Sequence, residues 1–216
     1  MKRTLGIVAA LISLSAVPLM AHADNFQGWY IDGTLGVSSY GNSQDDEDDI
    51  RSDLNQRGFQ ANVHVDDNPG AAGIGVGYHF NPNFALEANY LDLGDATAHA
   101  FVFSPEQFDL REHLDASGLD VAAIGLIPVS ERVSLFGKLG LFSYHLDDSI
   151  DSDGPAGPQP PNANGTTWDA GIGVEVHFDR SLGMRAGFTS YRQVGDSSTT
   201  GKQDIGLGYA QLYFNF

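Results

Sequence analysis

Eight segments of the chain alternate between apolar and polar residues with a period of two, which is the repeat of a β-strand. In the first segment Trp29, Ile31 and Leu35 share one face, whereas Asp32 and Thr34 lie on the other. The eight segments cover about residues 28–39, 73–80, 84–91, 118–127, 133–142, 167–178, 184–191 and 204–216. In the fourth segment both faces are largely apolar, so its orientation stays open. The pattern predicts an all-β protein of eight strands.

The connections between these segments alternate in length. Those after the second, fourth and sixth segments have about three or four residues, and the first of them contains the turn signal Asn81-Pro82-Asn83. The other connections are longer and polar, at about residues 40–70, 94–117, 147–165 and 195–203. Short turns at one end and long loops at the other are typical of an up-and-down barrel that crosses an outer membrane.

The polar faces of the segments carry many ionisable side chains. A water-soluble barrel of the lipocalin type is the alternative, and it would place the large apolar face inside. In a membrane the assignment reverses, because lipid takes the apolar face and charges pair in the interior. The polar side chains that would then point inward are Asp32, Glu87, Asn89, Lys138, Asp169, Glu175 and Arg185. We favour the membrane assignment.

The N-terminus has the order of a secretory signal. The basic pair Lys2-Arg3 precedes a mostly apolar stretch at 5–20, and Ala21-His22-Ala23 offers small residues to a signal peptidase. We expect cleavage after Ala23, which removes residues 1–23 and leaves residues 24–216 as the barrel domain. A membrane anchor is the alternative, but the stretch contains Ser and Pro and ends at small residues.

The composition narrows the choice of partners. The formal net charge is −17, and a strongly acidic chain repels phosphate backbones, so nucleic acid is not an expected partner. The chain has no cysteine. An exported protein without disulfides needs another source of stability. Backbone hydrogen bonds that close the strands into a ring would provide that stability.

Four stretches and the C-terminus form a recognisable set. They are Trp29-Tyr30, residues 83–94, residues 135–142, residues 168–176 and the ending Tyr213-Phe214-Asn215-Phe216. Their order and spacing resemble the OmpA-like eight-stranded outer-membrane β-barrel family over essentially the whole chain after the signal. The resemblance implies a closed eight-stranded antiparallel barrel in the outer membrane of a Gram-negative cell. We expect no peptidoglycan-binding domain after the barrel, and we do not expect that anchoring role.

The resemblance also implies candidate sites inside the barrel. In the family's namesake, interior acidic and basic residues form a salt-bridge network that gates a narrow channel. Glu87, Lys138, Glu175 and Arg185 occupy comparable places here. We hypothesise that these four side chains pair inside the barrel. They either gate a pore or only fill and stiffen the interior, and the narrow lumen of eight strands favours filling.

The C-terminal aromatic residues Tyr213, Phe214 and Phe216 are similar to the signal that the family's barrel-insertion machinery reads. The expected partners are that machinery and the lipid and lipopolysaccharide of the outer membrane. We expect a monomer with no cofactor.

Weaker candidates lie in the polar connections. The acidic run at 45–49 offers carboxylates to a divalent cation, but it lacks the spacing and the glycine of a calcium loop. A solvated charge run is the simpler interpretation. The glycines at 73–77 alternate like a strand and lack the lysine of a phosphate loop.

Two histidines lie near residues that occur in hydrolase sites. They are His113, with Asp115 and Ser117, and His145, with Asp147. No nucleophile motif and no metal-ligand spacing accompanies them. The sequence predicts no catalytic and no metal site.

We therefore predict a non-enzymatic outer-membrane protein. Its role is to support envelope integrity or to present its loops for surface interaction, with weak porin-like activity as an addition. An adhesin-like module that binds through the long loops is the alternative. A membrane enzyme that modifies lipid A is a third interpretation.

Overall fold

The computed structural model describes residues 27–40, 51–52, 54–56, 58–66, 68–104, 108–152, 162–195 and 202–216. The expected signal peptide and the acidic run at 45–49 lie outside these residues. The described residues form strands β1 (Gly28–Ser39), β2 (Gln60–Asp66), β3 (Gly70–Asn81), β4 (Phe84–Ser104), β5 (Phe108–Pro128), β6 (Val133–Ser152), β7 (Ala163–His177), β8 (Leu182–Val194) and β9 (Gln203–Asn215). In this part of the chain no helix is both long enough and apolar enough to cross a bilayer.

Eight of these strands close into one antiparallel barrel in the order β1-β3-β4-β5-β6-β7-β8-β9. β9 returns to pair with β1, as in the pair Leu212 and Gly33, and β4 pairs with β5 over most of its length. The closed eight-stranded barrel predicted from the alternation is confirmed. A closed wall satisfies backbone N–H and C=O groups between neighbouring strands, as a hydrocarbon solvent demands.

β2 is a strand that the alternation did not predict. It lies end to end with β3 along one edge of β4, because β3 pairs with β4 up to Asp92 and β2 pairs with residues 97–104. β4, β5 and β6 continue with β2 into a four-stranded extension of the barrel wall. We call this extension the projecting sheet, and it comprises residues 60–66, 95–104, 108–116 and 147–152.

The loop limits drawn from the sequence at 94–117 and 147–165 are therefore too wide. The register of β4 against β5 shifts between Asp92 and Asp95, and Gly94 within this bulge has a φ of 78°. Before the bulge the odd-numbered residues of β4, such as Leu91, face the interior. Beyond it the buried residues are even-numbered, such as Ala100. A bulge thus breaks the period of two although the strand continues.

Short turns close the opposite end of the barrel, as the sequence predicts. Residues 82–83 connect β3 to β4, residues 129–132 connect β5 to β6, and residues 178–181 connect β7 to β8. In the last turn the carboxylate of Asp179 accepts hydrogen bonds from the backbone N–H groups of Ser181 (2.7 Å) and Leu182 (2.9 Å). These bonds lower the pKa of Asp179.

The outer face of the barrel wall is an apolar belt. Ile74 and Ile172 expose 72% and 71% of their surface. A continuous apolar face of this kind is not found on the water-exposed surface of a soluble monomer. The orientation left open for residues 118–127 is now fixed, since Leu119 and Val121 are exposed and Asp120 is buried. The other large exposed residues of the belt include Ile31, Leu35, Val76, Leu135, Leu139, Leu141, Phe188 and Leu212, with Trp29, Phe84, Tyr90, Trp168 and Phe178 towards its two edges.

The interior changes character along the barrel axis. Beside the belt it holds buried polar side chains and, near the short turns, a small apolar cluster with Ile124, Leu126 and Phe136. Towards the projecting sheet it is filled by apolar and aromatic side chains. We call this filling the apolar plug, and its larger members are Tyr40, Leu91, Leu93, Phe142, Tyr144, Leu146, Tyr191, Val194, Ile205 and Leu207. The Tyr144 hydroxyl fastens the plug to Gly195, since it donates to the carbonyl and accepts from the N–H, both at 3.0 Å.

A charge placed on the belt should unfold the barrel more readily than the same charge placed above it. Leu139→Arg puts a guanidinium into hydrocarbon, and we expect it to lower the free energy of unfolding by about 2–4 kcal/mol. The control Ser149→Arg lies on an exposed position of β6 in the projecting sheet and should change it by less than about 0.5 kcal/mol. Urea titration in lipid vesicles, followed by tryptophan fluorescence, measures both. Equal effects of the two variants would contradict the position of the belt.

Candidate functional site

Arg185 is the centre of a polar network in the membrane part of the interior. Its side chain is fully buried, and its Nη1 lies 2.5 Å from Oε2 of Glu87 while its Nε lies 2.6 Å from Oε2 of Glu175. Arg185 and Glu175 are register partners on β8 and β7, whereas Glu87 reaches across the lumen from β4. Two carboxylates thus share one guanidinium, and charge-assisted bonds of this kind are among the strongest in proteins.

Neutral groups complete the hydrogen bonding of Glu87. The Tyr30 hydroxyl donates to Oε2 at 2.7 Å, and the Gln211 amide donates to Oε1 at 3.0 Å. The amide of Asn89 donates to the same oxygen at 2.5 Å. The carboxylate therefore has donors on both oxygens, which offsets the cost of removing it from water.

Two tyrosine rings flank the guanidinium. The Cζ of Arg185 lies 5.2 Å from the ring centroid of Tyr30 and 4.8 Å from that of Tyr213, within the range of cation–π attraction. Glycine makes room for both rings, because a Cβ on Gly77 would stand 2.0 Å from Tyr30 Cζ and one on Gly183 would stand 2.3 Å from Tyr213 Cζ. Glycines opposite bulky residues are thus a packing requirement of this site.

The network continues to the short-turn end through histidines. His79 Nε2 lies 3.2 Å from Nη2 of Arg185. His177 Nε2 lies 3.0 Å from Oε1 of Glu175, and its Nδ1 lies 2.9 Å from the Tyr213 hydroxyl. The chain from Arg185 to His177 therefore reaches the mouth of the barrel, where His177 is partly exposed.

Lys138 belongs to a second cluster on the side of the apolar plug. Its ammonium group contacts the carboxylate of Asp120 and lies 3.8 Å from Oδ1 of Asp169. Three of the four residues singled out in the sequence, Glu87, Glu175 and Arg185, are thus brought together, whereas Lys138 forms its ion pairs with other carboxylates. Asp120 was missed as its partner because the facing of its segment was ambiguous.

The C-terminal aromatics divide between the two sides of the wall. Tyr213 faces the interior network, while Phe214 and Phe216 expose 48% and 73% of their surface on the outside. The backbone N–H of Phe216 donates to the carbonyl of Trp29 at 3.1 Å, which fastens the end of the chain to β1. The role of these residues as an insertion signal is a prediction.

The two histidines near hydrolase-type residues lie on the outer face above the belt. His113 Nδ1 lies 3.4 Å from the Thr97 hydroxyl and 3.0 Å from Oδ2 of Asp95, and not beside Ser117. Both contacts fall on the same ring nitrogen, whereas a catalytic triad needs the hydroxyl and the carboxylate on opposite nitrogens. His145 Nε2 lies 3.1 Å from Oδ1 of Asp147, and the glycines at 73–77 lie within β3.

Carboxylates crowd together at the base of the projecting sheet. Asp115 is the register partner of both Asp95 and Asp147. Partial burial, followed by repulsion from Asp92, Asp95 and Asp147, raises the pKa of Asp115. A hydrogen bond with Asn164 and the charge of Asp147 raise the pKa of His145. This region is therefore an acidic, pH-sensitive surface.

Comparison with known proteins agrees with this architecture. Residues 7–211 match the family model of the outer membrane protein beta-barrel domain. The chain belongs to this family. Its apolar belt is the membrane-embedded surface of an outer-membrane barrel, and such barrels have an envelope or surface-interaction role. No curated protein sequence matches the chain.

Two solved outer-membrane structures share the fold. Ail, the attachment invasion locus protein of Yersinia pestis, solved in complex with the heparin analogue sucrose octasulfate, is 14% identical with a TM-score of 0.51. The match covers 88% of this chain and 99% of Ail. Neisserial surface protein A is 12% identical with a TM-score of 0.51, over 88% of this chain and 97% of that one. At these identities the likeness shows the fold alone.

Removal of the central cation of the barrel should be strongly destabilising. Arg185→Met leaves Glu87 and Glu175 buried without their partner, and we expect the free energy of unfolding to fall by about 3–5 kcal/mol. The triple variant Arg185→Met, Glu87→Gln, Glu175→Gln removes the charges together and should recover most of this loss. Urea unfolding in detergent micelles compares the variants. A triple variant no more stable than the single one would show that the ion pairs are not the cause.

The acidic cluster should make the projecting sheet less stable as the pH rises. A raised folded-state pKa means that Asp115 stabilises the fold most at low pH, and that this contribution is lost as the pH rises from about 4 through the raised pKa. Asp115→Asn should therefore slow proteolysis of the sheet at neutral pH and have little effect near pH 4. Asp179→Asn is the control at the opposite end and should not slow it. Equal protection by Asp115→Asn at both pH values would contradict the mechanism.

Proposed function

We propose that the chain is a non-enzymatic surface-interaction protein and that the projecting sheet is its binding element. The observation that carries this proposal is the length of β4, β5 and β6, which have 21, 21 and 20 residues. A strand needs only about 9–11 residues to cross the membrane. The remaining length forms an ordered sheet beyond the belt.

The projecting sheet stands well above the lipid. From Tyr90, at the edge of the belt, β4 continues to Phe101, which at a tilted-strand rise is roughly 28 Å along the barrel axis. Its inner face is covered, since Val102 is fully buried and Ala100 nearly so. A partner would therefore meet the outer face of the sheet, and it would meet it outside the membrane.

The charge of this sheet indicates the sign of its partner. Its described segments carry eight carboxylates, Asp66, Asp95, Asp109, Glu112, Asp115, Asp147, Asp148 and Asp151, against a single cation, Arg111. Such a surface attracts cationic groups and repels sulfated or phosphorylated polymers. The heparin analogue bound by Ail would thus be a poor ligand here.

Binding of charged probes to the protein in lipid nanodiscs tests this proposal. We expect a lysine-rich peptide to bind and sucrose octasulfate not to bind, because only the peptide complements the acidic sheet. Ail is the matched control for octasulfate binding. Octasulfate binding by this chain would contradict the assigned sign.

A trimmed variant locates the binding element. Residues 96–114 are replaced by Asn-Gly, a two-residue hairpin turn that fits between the register partners Asp95 and Asp115. The barrel below should still fold and migrate faster unboiled than boiled on a gel. Peptide binding should weaken, because the outer part of the sheet is removed with Asp109 and Glu112, whereas the other six carboxylates remain. Unchanged peptide binding would favour a role in envelope integrity that does not depend on the sheet.

The interior of the barrel supports filling over conduction. The apolar plug lies between the polar network and the outer end, and plug side chains such as Leu93, Phe142 and Val194 have no exposed surface. We expect no discrete current in planar bilayers from the wild type or from Lys138→Ala, because the plug remains in both. A general porin reconstituted in the same way is the positive control. Step currents from either protein would show that the plug opens.

Further expectations belong to this proposal. Residues 1–23 direct export, and Tyr213, Phe214 and Phe216 present the C-terminal signal to the barrel-insertion machinery. The belt contacts outer-membrane lipid, including lipopolysaccharide. The barrel works as a monomer and needs no cofactor.

A further inference from the structure

The apolar belt contains a groove on its lipid-facing side, where β4, β3, β1 and β9 are neighbours in the wall. Two small residues form its floor. Gly33 faces outward, and a Cβ at this position would meet no heavy atom of the described residues within 4 Å. Ala72 on β3 lies diagonally next to it, on the side of the projecting sheet. The groove has a volume of about 580 Å³, within the range of about 300–1,000 Å³ that is typical of small-molecule sites.

Larger apolar side chains stand on both sides of this floor. Ile74 and Leu212 are the register partners of Gly33 on β3 and β9, and Leu35 is the register partner of Ala72. Because neighbouring strands are about 4.8 Å apart, the missing side chain at Gly33 leaves a slot one strand wide between Ile74 and Leu212. An extended hydrocarbon chain has about this width, so the slot fits one such chain.

The end of the groove towards the projecting sheet is polar. Tyr90 and Asp92 on β4 line it there, and both are exposed on the outer face. The Tyr90 hydroxyl lies 3.3 Å from the Ser117 hydroxyl, and one carboxylate oxygen of Asp92 accepts a hydrogen bond from the N–H of Gly94 at 2.9 Å. The acidic cluster around Asp115 lies just beyond. The negative potential at this end favours a group that carries a positive charge.

We propose that the groove binds one acyl chain of a lipid whose headgroup carries an amine, as in phosphatidylethanolamine. The chain lies on Gly33 and Ala72 between the larger side chains, and the ammonium group meets Asp92. This inference rests on the position of the belt in the membrane and not on any ligand of the projecting sheet. Lipid tails are as apolar as the groove, so binding depends on close packing of the chain and on the charge of the headgroup.

Native mass spectrometry tests the bound lipid. The barrel is reconstituted in nanodiscs that contain phosphatidylethanolamine and phosphatidylglycerol in equal amounts with the same acyl chains, and the lipids that survive collisional activation are counted. We expect the wild type to retain one phosphatidylethanolamine, with a preference of roughly fivefold over phosphatidylglycerol, as expected for one exposed charge pair. Asp92→Asn should keep a bound lipid but lose this preference.

Two glycine variants locate the site. In Gly33→Leu the new side chain occupies the floor of the groove, so the retained lipid should be lost. Gly137→Leu on β6 is the matched control, because Gly137 also faces lipid and a Cβ there would meet no heavy atom of the described residues within 4 Å. It should retain the lipid. Both variants should still migrate faster unboiled than boiled, and both should bind the lysine-rich peptide as the wild type does.

Direct observation of the chain provides the second measurement. Crystals grown with phosphatidylethanolamine that carries brominated acyl chains should show an anomalous peak between Ile74 and Leu212 that is absent from Gly33→Leu. The proposal is overturned if the wild type and Gly33→Leu retain lipid equally, or if Gly137→Leu loses it as well. A second copy of the chain seated in the groove would also overturn it, and equal retention of the two lipids by the wild type would overturn the role of Asp92.

Discussion

The solvent around this barrel changes from hydrocarbon to water along its axis, and the side chains change with it. Within the belt, lipid takes the apolar residues and the charged ones turn inward. Beyond Asp92 the wall stands in water, so polar residues lie outside and the apolar plug forms a core like that of a soluble protein. Closure of the strands into a ring makes both arrangements possible, because it satisfies the backbone wherever the wall happens to lie.

Within the belt, one side chain connects most of the wall. Arg185 on β8 contacts Glu175 on β7, Glu87 on β4, Tyr30 on β1, Gln211 on β9 and His79 on β3. A buried ion pair adds little net stability over apolar packing, since desolvation consumes much of the attraction. The network instead fixes the register of the strands. If one of these strands shifted by one residue, its side chain that contacts Arg185 would point to the lipid and the contact would be lost.

Much of the fold could be predicted from the sequence, because lipid and lumen impose a strict alternation on every strand of the belt. The number of barrel strands and their antiparallel order follow from that alternation, and the short-turn end follows from the lengths of the connections. The residues Glu87, Glu175 and Arg185 could be found because each is charged on an otherwise small or apolar strand.

The rest could not be predicted, for identifiable reasons. The bulge at Gly94 changes the inward-facing residues of β4 from odd-numbered to even-numbered ones. The alternation in the sequence is therefore interrupted at this point, although the strand continues. The facing of residues 118–127 was ambiguous because Ile124 and Leu126 point inward, where they pack with Phe136 in a second apolar cluster near the short turns, so apolar residues occur on both sides of the wall there. The pairing of Lys138 with Asp120 depended on that facing.

The apolar plug has a consequence for whatever meets the cell surface. It packs beneath the base of the projecting sheet, so that the part of the outer surface that this sheet forms is held in one conformation. A ligand that fits this surface loses little entropy in ordering it. An antibody that recognises this surface would contact residues from β2, β4, β5 and β6 together. It would therefore bind a linear peptide from any one strand only weakly.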